Sequence, residues 1–197
     1  MRLKLTFLIT IIFLITACNF IPNKNYEVQF IELGTKTDAS LRGLFIVDEN
    51  IIWASGSKGT VLVSEDGGEN WIINTVPGAE ENDFRSIHAW NENRAMIFGV
   101  AGPQFGFLTE NGGENWEVVF QDSTEGLFFN SLKFADNKNG LAVSDPVDGK
   151  FFVLRTEDGG KNWNFVGENN YYTFQATPGK LAGFVAGGDG RIGKVDI

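Results

Sequence analysis

One octapeptide constrains this chain more than any other feature. It reads SEDGGENW at Ser64–Trp71, TENGGENW at Thr109–Trp116 and TEDGGKNW at Thr156–Trp163, so its starts lie 45 and 47 residues apart. A fixed period of this length marks propeller blades or a solenoid, in which each repeat buries its apolar face against the next. The flanking segments keep the same phase. Leu41-Arg42-Gly43-Leu44-Phe45 aligns with Phe84-Arg85-Ser86-Ile87-His88 and with Phe129-Asn130-Ser131-Leu132-Lys133. An acidic or Asn-rich turn follows each of them, then two apolar runs, then the octapeptide, then a fourth run that begins at its Trp. Four short strands per repeat is the arithmetic of a propeller blade.

The expected fold is therefore all-β, a β-propeller of four-stranded blades. The repeat units run over about 41–83, 84–128 and 129–170. A fourth unit combines 171–197 with Tyr26–Leu33, which reads as an orphan outer strand whose partner would be Arg191–Ile197. That pairing would close about four blades into a ring and hide the open sheet edges. No segment beyond the N-terminus shows a helical period. Gly and Phe, at 24 and 18 copies, suit tight turns and short strands.

The N-terminus is a separate object. Arg2 and Lys4 precede an apolar run from Leu5 to Ala17, followed by Cys18. The run is short of the ~20 residues that span a bilayer and fits the helical core of a signal peptide over 1–17. Ile15-Thr16-Ala17-Cys18 resembles the lipobox of bacterial lipoproteins, in which the cysteine takes a diacylglyceryl thioether. Residues 18–25 would be the tether to a propeller spanning 26–197. The resemblance implies export and a membrane-anchored lipoprotein in a bacterial cell envelope, at the outer membrane or the periplasmic face. Cys18 is the single cysteine, so no internal disulfide exists. Removal of Arg2 and Lys4 would take the net charge from −9 to −11, which speaks against nucleic acid as a partner.

Ser/Thr-x-Asp-x-Gly-x-x-Trp resembles the Asp-box, or BNR repeat. Its positions here are Ser64, Asp66, Gly68 and Trp71; Thr109, Asn111, Gly113 and Trp116; Thr156, Asp158, Gly160 and Trp163. The second copy departs from the pattern at Asn111. Short oxygen side chains bond nearby backbone, glycines allow positive φ and Trp offers area to a neighbouring blade. The motif thus reads as a structural joint rather than a repeated cation site. Within Asp-box proteins, the Arg-containing first strands, SGSKGTVLVSEDGGENW and AVSDPVDGKFFVLRTEDGGKNW are similar to exported relatives of the photosystem II assembly factor. Members of that family carry about seven blades, so a chain of about four is a shortened or incomplete version. The resemblance implies a non-catalytic scaffold that holds a polypeptide partner with an arginine patch.

Candidate partner-binding residues lie on the face opposite the octapeptides, at the starts of the inner strands and on the loops between second and third runs. They are Arg42, Arg85, Asn130, Lys58, Asp145, Asp148, Lys150 and Arg191. For the arginines the plain alternative is an ion pair to a neighbouring blade; for Asp145 and Asp148 it is turn chemistry around Pro146 and Gly149. His88 is the lone histidine and has no second imidazole or thiol for a metal site; it reads as packed or on the surface. No cofactor motif is present. A glycan-active protein, sialidase-like or carbohydrate-binding, is the second reading, with Tyr171, Tyr172 and Trp90 as sugar platforms. No triad context and no sialidase Phe-Arg-Ile-Pro motif supports it.

Overall fold

The computed structural model describes residues 29–100, 103–148, 150–169, 171–176, 182–187 and 192–196, with side chains up to Val166 and excepting Lys150. The chain divides into two units, Met1–Glu32 and Leu33–Ile197. Of the first, the described residues 29–32 form no regular structure; the signal peptide, Cys18 and the tether lie outside the described residues. Among the described residues the second unit holds fifteen strands and no helix.

The strands form consecutive antiparallel sheets. β1 (Leu41–Ile46), β2 (Ile52–Gly56), β3 (Thr60–Ser64) and β4 (Ile72–Thr75) make the first, in sequence order. β5 (Phe84–Ala89), β6 (Ala95–Gly99), β7 (Gln104–Thr109) and β8 (Glu117–Asp122) make the second. β9 (Phe129–Phe134), β10 (Gly140–Val147), β11 (Lys150–Thr156) and β12 (Asn164–Asn169) make the third. β13 (Tyr171–Ala176), β14 (Ala182–Gly187) and β15 (Ile192–Asp196) form a sheet of three. The first strands of successive sheets are neighbours, β1 to β5, β5 to β9 and β9 to β13. They are the innermost strands, and the fourth strands are outermost. This is a β-propeller.

Packing follows from the burial each strand demands. β2, β3, β6 and β7 are covered on both faces, so they read as nearly continuous apolar runs rather than alternations. Between the first two sheets, Trp53, Val61 and Val63 meet Phe84, Ile87, Ala95 and Ile97. Between the second and third, Met96, Phe98 and Leu108 meet Phe129, Leu132 and Leu154. Burying side chains of this size contributes about 1.5–3 kcal/mol each, which lets stacked sheets stand without a disulfide.

One expectation is corrected. The outer strand proposed over Tyr26–Leu33 is not formed in its described part, residues 29–33, and the fourth sheet has three strands among the described residues. Phe30 and Ile31 are both exposed. The apolar alternation breaks phase between them, so no single register buries the segment. Tyr26–Val28 lie outside the described residues.

Candidate functional site

The octapeptide builds the same turn three times. Ser64 Oγ accepts the Gly68 amide at 2.8 Å and donates to Asp66 Oδ1 at 2.9 Å. Asp66 Oδ1 then accepts the Asn70 amide, and Oδ2 accepts the Asn70 side chain, each at 2.8 Å. Trp71 Nε1 closes the turn on the Gly68 carbonyl at 3.0 Å. Thr156, Asp158, Gly160 and Trp163 repeat this set in full, and Thr109, Asn111, Gly113 and Trp116 repeat all of it but the side-chain bond to Oδ2, an atom Asn111 lacks. Asn111 serves because Oδ1, present in both Asp and Asn, is the working acceptor: it takes the Asn115 amide at 3.0 Å. Both glycines of each copy sit at positive φ, from 71° to 93°, where a side chain would be strained.

The carboxylates in these turns are spent on the turns. The Asn70 backbone and side-chain amides hold the Asp66 carboxyl below its ordinary value. At Asp158, burial pulls upward, and the Asn162 amides with the Thr156 hydroxyl outweigh it. The first glycine amide of each motif donates to the preceding turn of its own sheet, Gly67 to Asn50, Gly112 to Asn93 and Gly159 to Lys138. Side chains also cross between sheets here. Asn74 reaches the Gly112 carbonyl at 3.3 Å, and Arg94 reaches the Gly159 carbonyl at 2.8 Å. No group of three or more His, Cys, Asp or Glu residues is arranged to hold a metal ion among the described residues.

The opposite face carries the candidate binding residues, and a bulge places them. In each inner strand one residue drops out of the ladder: register shifts fall between Leu41 and Gly43, Phe84 and Ser86, and Tyr171 and Thr173, and across Phe129–Ser131. The skipped residues are Arg42, Arg85, Tyr172 and Asn130. A bulge bends the strand and re-aims the extra side chain. Arg42, Arg85 and Asn130 line a common cavity of about 170 Å³ along the inner strands, with Lys133. Tyr172 holds the fourth equivalent position by register, a relation the sequence alignment missed.

Ion pairs set the charge of this site. Arg42 Nη1 lies 3.0 Å and Arg85 Nε 3.4 Å from the same atom, Asp83 Oδ2. Two guanidiniums thus share one carboxylate, while Asp83 Oδ1 is buried without a partner. Arg85 also sits 4.8 Å above the Phe128 ring. Asn130 Nδ2 donates to Asp145 Oδ1, and the Asp145 amide donates to the Phe128 carbonyl at 2.6 Å. Asp145 is therefore part of a loop clasp. Lys58, at positive φ, pairs with Asp38. Asp148, at φ 50°, makes a turn. The Lys150 side chain and Arg191 lie outside the described residues. Beside Phe128 a cleft of about 570 Å³ opens between Val100, Pro103, Gln104, Thr124 and Leu127.

Asp83 escaped the sequence reading, although Asp83-Phe84-Arg85 placed an acid beside one of the arginines. Its contact with Arg42 joins two sheets, and no local pattern announces it. His88 is packed, with ring centroids 4.4 Å from Phe45 and 4.8 Å from both Trp90 and Phe134. Burial, then Lys133 and Arg94, push its pKa down to about 3 from 6.5. Trp90 is no sugar platform, because Arg94 covers its ring at 3.9 Å while His88 and Phe134 pack on it. Tyr171 and Tyr172 have no described side chains.

No protein-family model matches the chain. The photosystem II assembly lipoprotein Ycf48 of Picosynechococcus sp. is 30% identical over 81 residues, 41% of this chain and 21% of that protein. The aligned region thus spans about a fifth of the relative. The solved structure of YCF48 bound to D1 peptide matches with a TM-score of 0.62 at 19% identity, over 86% of this chain and 56% of that one. The Cps50 (Swd1) β-propeller domain of Myceliophteria thermophila matches with a TM-score of 0.59 at 10% identity, over 81% and 54%. At these identities the solved structures show the propeller fold alone.

Proposed function

We propose that this protein is a lipid-anchored scaffold of the bacterial cell envelope, built from Asp-box repeats, whose inner-strand face holds an acidic segment of a partner polypeptide. The observation that carries the reading is the sharing of Asp83 by Arg42 and Arg85 at a cavity that also takes in Asn130 and Lys133. One carboxylate cannot neutralise both guanidiniums, so positive charge is left over on a chain whose net charge is −9. Guanidinium forks favour planar carboxylates. The partial identity to assembly lipoproteins, and a like-folded protein solved with a peptide bound, support a polypeptide as the occupant. The octapeptides act as joints. Cys18 provides the anchor; this part of the reading rests on the lipobox-like sequence. The role is non-catalytic, and the glycan reading loses Trp90.

The test is fluorescence anisotropy with labelled acidic, neutral and basic peptides of equal length. Acidic peptides bind with salt-sensitive affinity. Arg42→Ala with Arg85→Ala weakens them at least ~10-fold, as removal of charge-assisted bonds does. Asp83→Asn frees both guanidiniums and tightens binding. Equal affinity for all three peptides, or an unchanged constant in the double variant, would refute the assignment.

A further inference from the structure

The repeat fills one place in the first sheet and leaves it open in the second. Five residues before the start of each octapeptide stand Gly59, Gln104 and Phe151. At Gly59 the chain itself occupies the place. The connection over 76–83, between β4 and β5, folds onto it: Val76 donates its amide to the Gly59 carbonyl, and Gly59 donates to the Asn82 carbonyl, each at 2.9 Å. A Cβ added to Gly59 would stand 2.5 Å from the Ala79 carbonyl oxygen. The matching connection, over 123–128 between β8 and β9, is shorter. The space left between it and Gln104 is the cleft of about 570 Å³. Val100, Pro103, Leu127 and Phe128 give this cleft apolar walls. Gln104 is 4% exposed, and its Oε1 is buried with no hydrogen-bond partner. A buried acceptor without a donor is costly, so a fitting occupant brings a donor as well as an apolar body. Phe128 also carries Arg85, 4.8 Å above its ring, so the cleft adjoins the guanidinium pair.

We propose that the cleft is a second subsite for the partner polypeptide. It takes a tyrosine or tryptophan two residues from the acidic residue held by Arg42 and Arg85, and the ring's O–H or N–H donates to Gln104 Oε1. The inference rests on the acidic-segment reading above. Chemistry narrows the occupant. Serine and threonine carry a donor but too little apolar body for the space. Phenylalanine and leucine fill it and leave Oε1 bare. Lysine and arginine supply both, but meet the surplus positive charge of Arg42 and Arg85. Tyrosine and tryptophan join a large apolar ring to one polar hydrogen. An extended segment sets alternate side chains on one side roughly 7 Å apart, a reach that spans the Phe128 ring.

The experiment is fluorescence anisotropy of the full chain in mild detergent. The labelled peptides are Gly-Asp-Gly-X-Gly and the reversed order Gly-X-Gly-Asp-Gly, with Tyr, Phe or Ala at X, and their counterparts with Lys for Asp. In one of the two orders the Tyr peptide binds about 5-fold tighter than the Phe peptide, and Phe at least ~10-fold tighter than Ala. Gln104→Leu keeps the bulk and removes the amide; Tyr and Phe peptides then bind alike, while Asp stays preferred over Lys. Equal binding of the Tyr, Phe and Ala peptides, with Asp still preferred over Lys, overturns the subsite and leaves the acidic-segment reading standing. Loss of the Asp preference in wild type overturns both. A Tyr preference that survives Gln104→Leu also overturns the subsite. Should the variant fail to fold by circular dichroism, O-methyltyrosine at X decides on wild type. It binds as weakly as Phe, because the ring has lost its donor; binding as tight as Tyr overturns the proposal.

Discussion

Acid should unfold this protein earlier than its carboxylates require, and His88 is the reason. The ring is buried among Phe45, Trp90 and Phe134, its Nδ1 has no hydrogen-bond partner, and no carboxylate pairs with it among the described residues. The cations nearest in effect are Lys133, on β9, and Arg94, which precedes β6; both oppose a second positive charge. The folded pKa of about 3 lies below the ordinary 6.5, so the unfolded chain takes up a proton that the folded one refuses. Stability from this group is complete above pH 6.5 and is lost as pH falls toward 3. The slope is about 1.4 kcal/mol per pH unit. Asp48, Asp66, Asp136 and Asp158 have lowered pKa values, so their contribution goes only as pH falls below about 4. Between pH 6.5 and 4.5 the loss belongs to His88 and amounts to about 2–3 kcal/mol, a substantial share of ordinary domain stability. Urea unfolding followed by Trp fluorescence at half-unit pH steps measures it. His88→Phe keeps a ring of similar size in the aromatic nest and removes the unpartnered nitrogen, so its stability should be flat across that window. A wild-type slope under ~0.3 kcal/mol per unit, or an equal slope in the variant, would refute the reasoning.

Trp163→Ala deletes ring contacts to Phe98 and Phe134 and the bond to the Gly160 carbonyl. It should cost about 3 kcal/mol and lower the melting temperature by about 6–12 °C, while peptide affinity per folded molecule holds; wild-type melting with lost affinity would reassign the motif to binding. Cys18→Ser should release the protein from membranes or leave the leader uncleaved in a fractionation and mass measurement, and unchanged processing and membrane recovery would reject the anchor.

The repeats were legible because their chemistry is local. Ser64, Asp66, Gly68 and Trp71 complete their turn within eight residues, so spacing alone exposes it three times. Arg42, Arg85 and Asn130 were also legible as equivalents, since alignment of the inner strands puts them in one column. The bulge that ejects them from the ladder was not legible, because it depends on pairing with the next strand. Asp83 was missed for the same reason: its pairing with Arg42 exists only once two sheets stack. Asn111 looked like a departure from the motif until its Oδ1 was seen in the role of a carboxylate oxygen. Tyr26–Leu33 misled because Tyr26, Val28 and Phe30 alternate correctly, and the break at Ile31 weighs more than the pattern before it.

The links made by Trp53, Asn74 and Arg94 each reach one sheet forward and no farther. Stability in such an array is approximately a sum of units and nearest-neighbour junctions. Copying or deleting one repeat therefore changes the array by one unit and its junctions, and leaves the sheets farther along as they were.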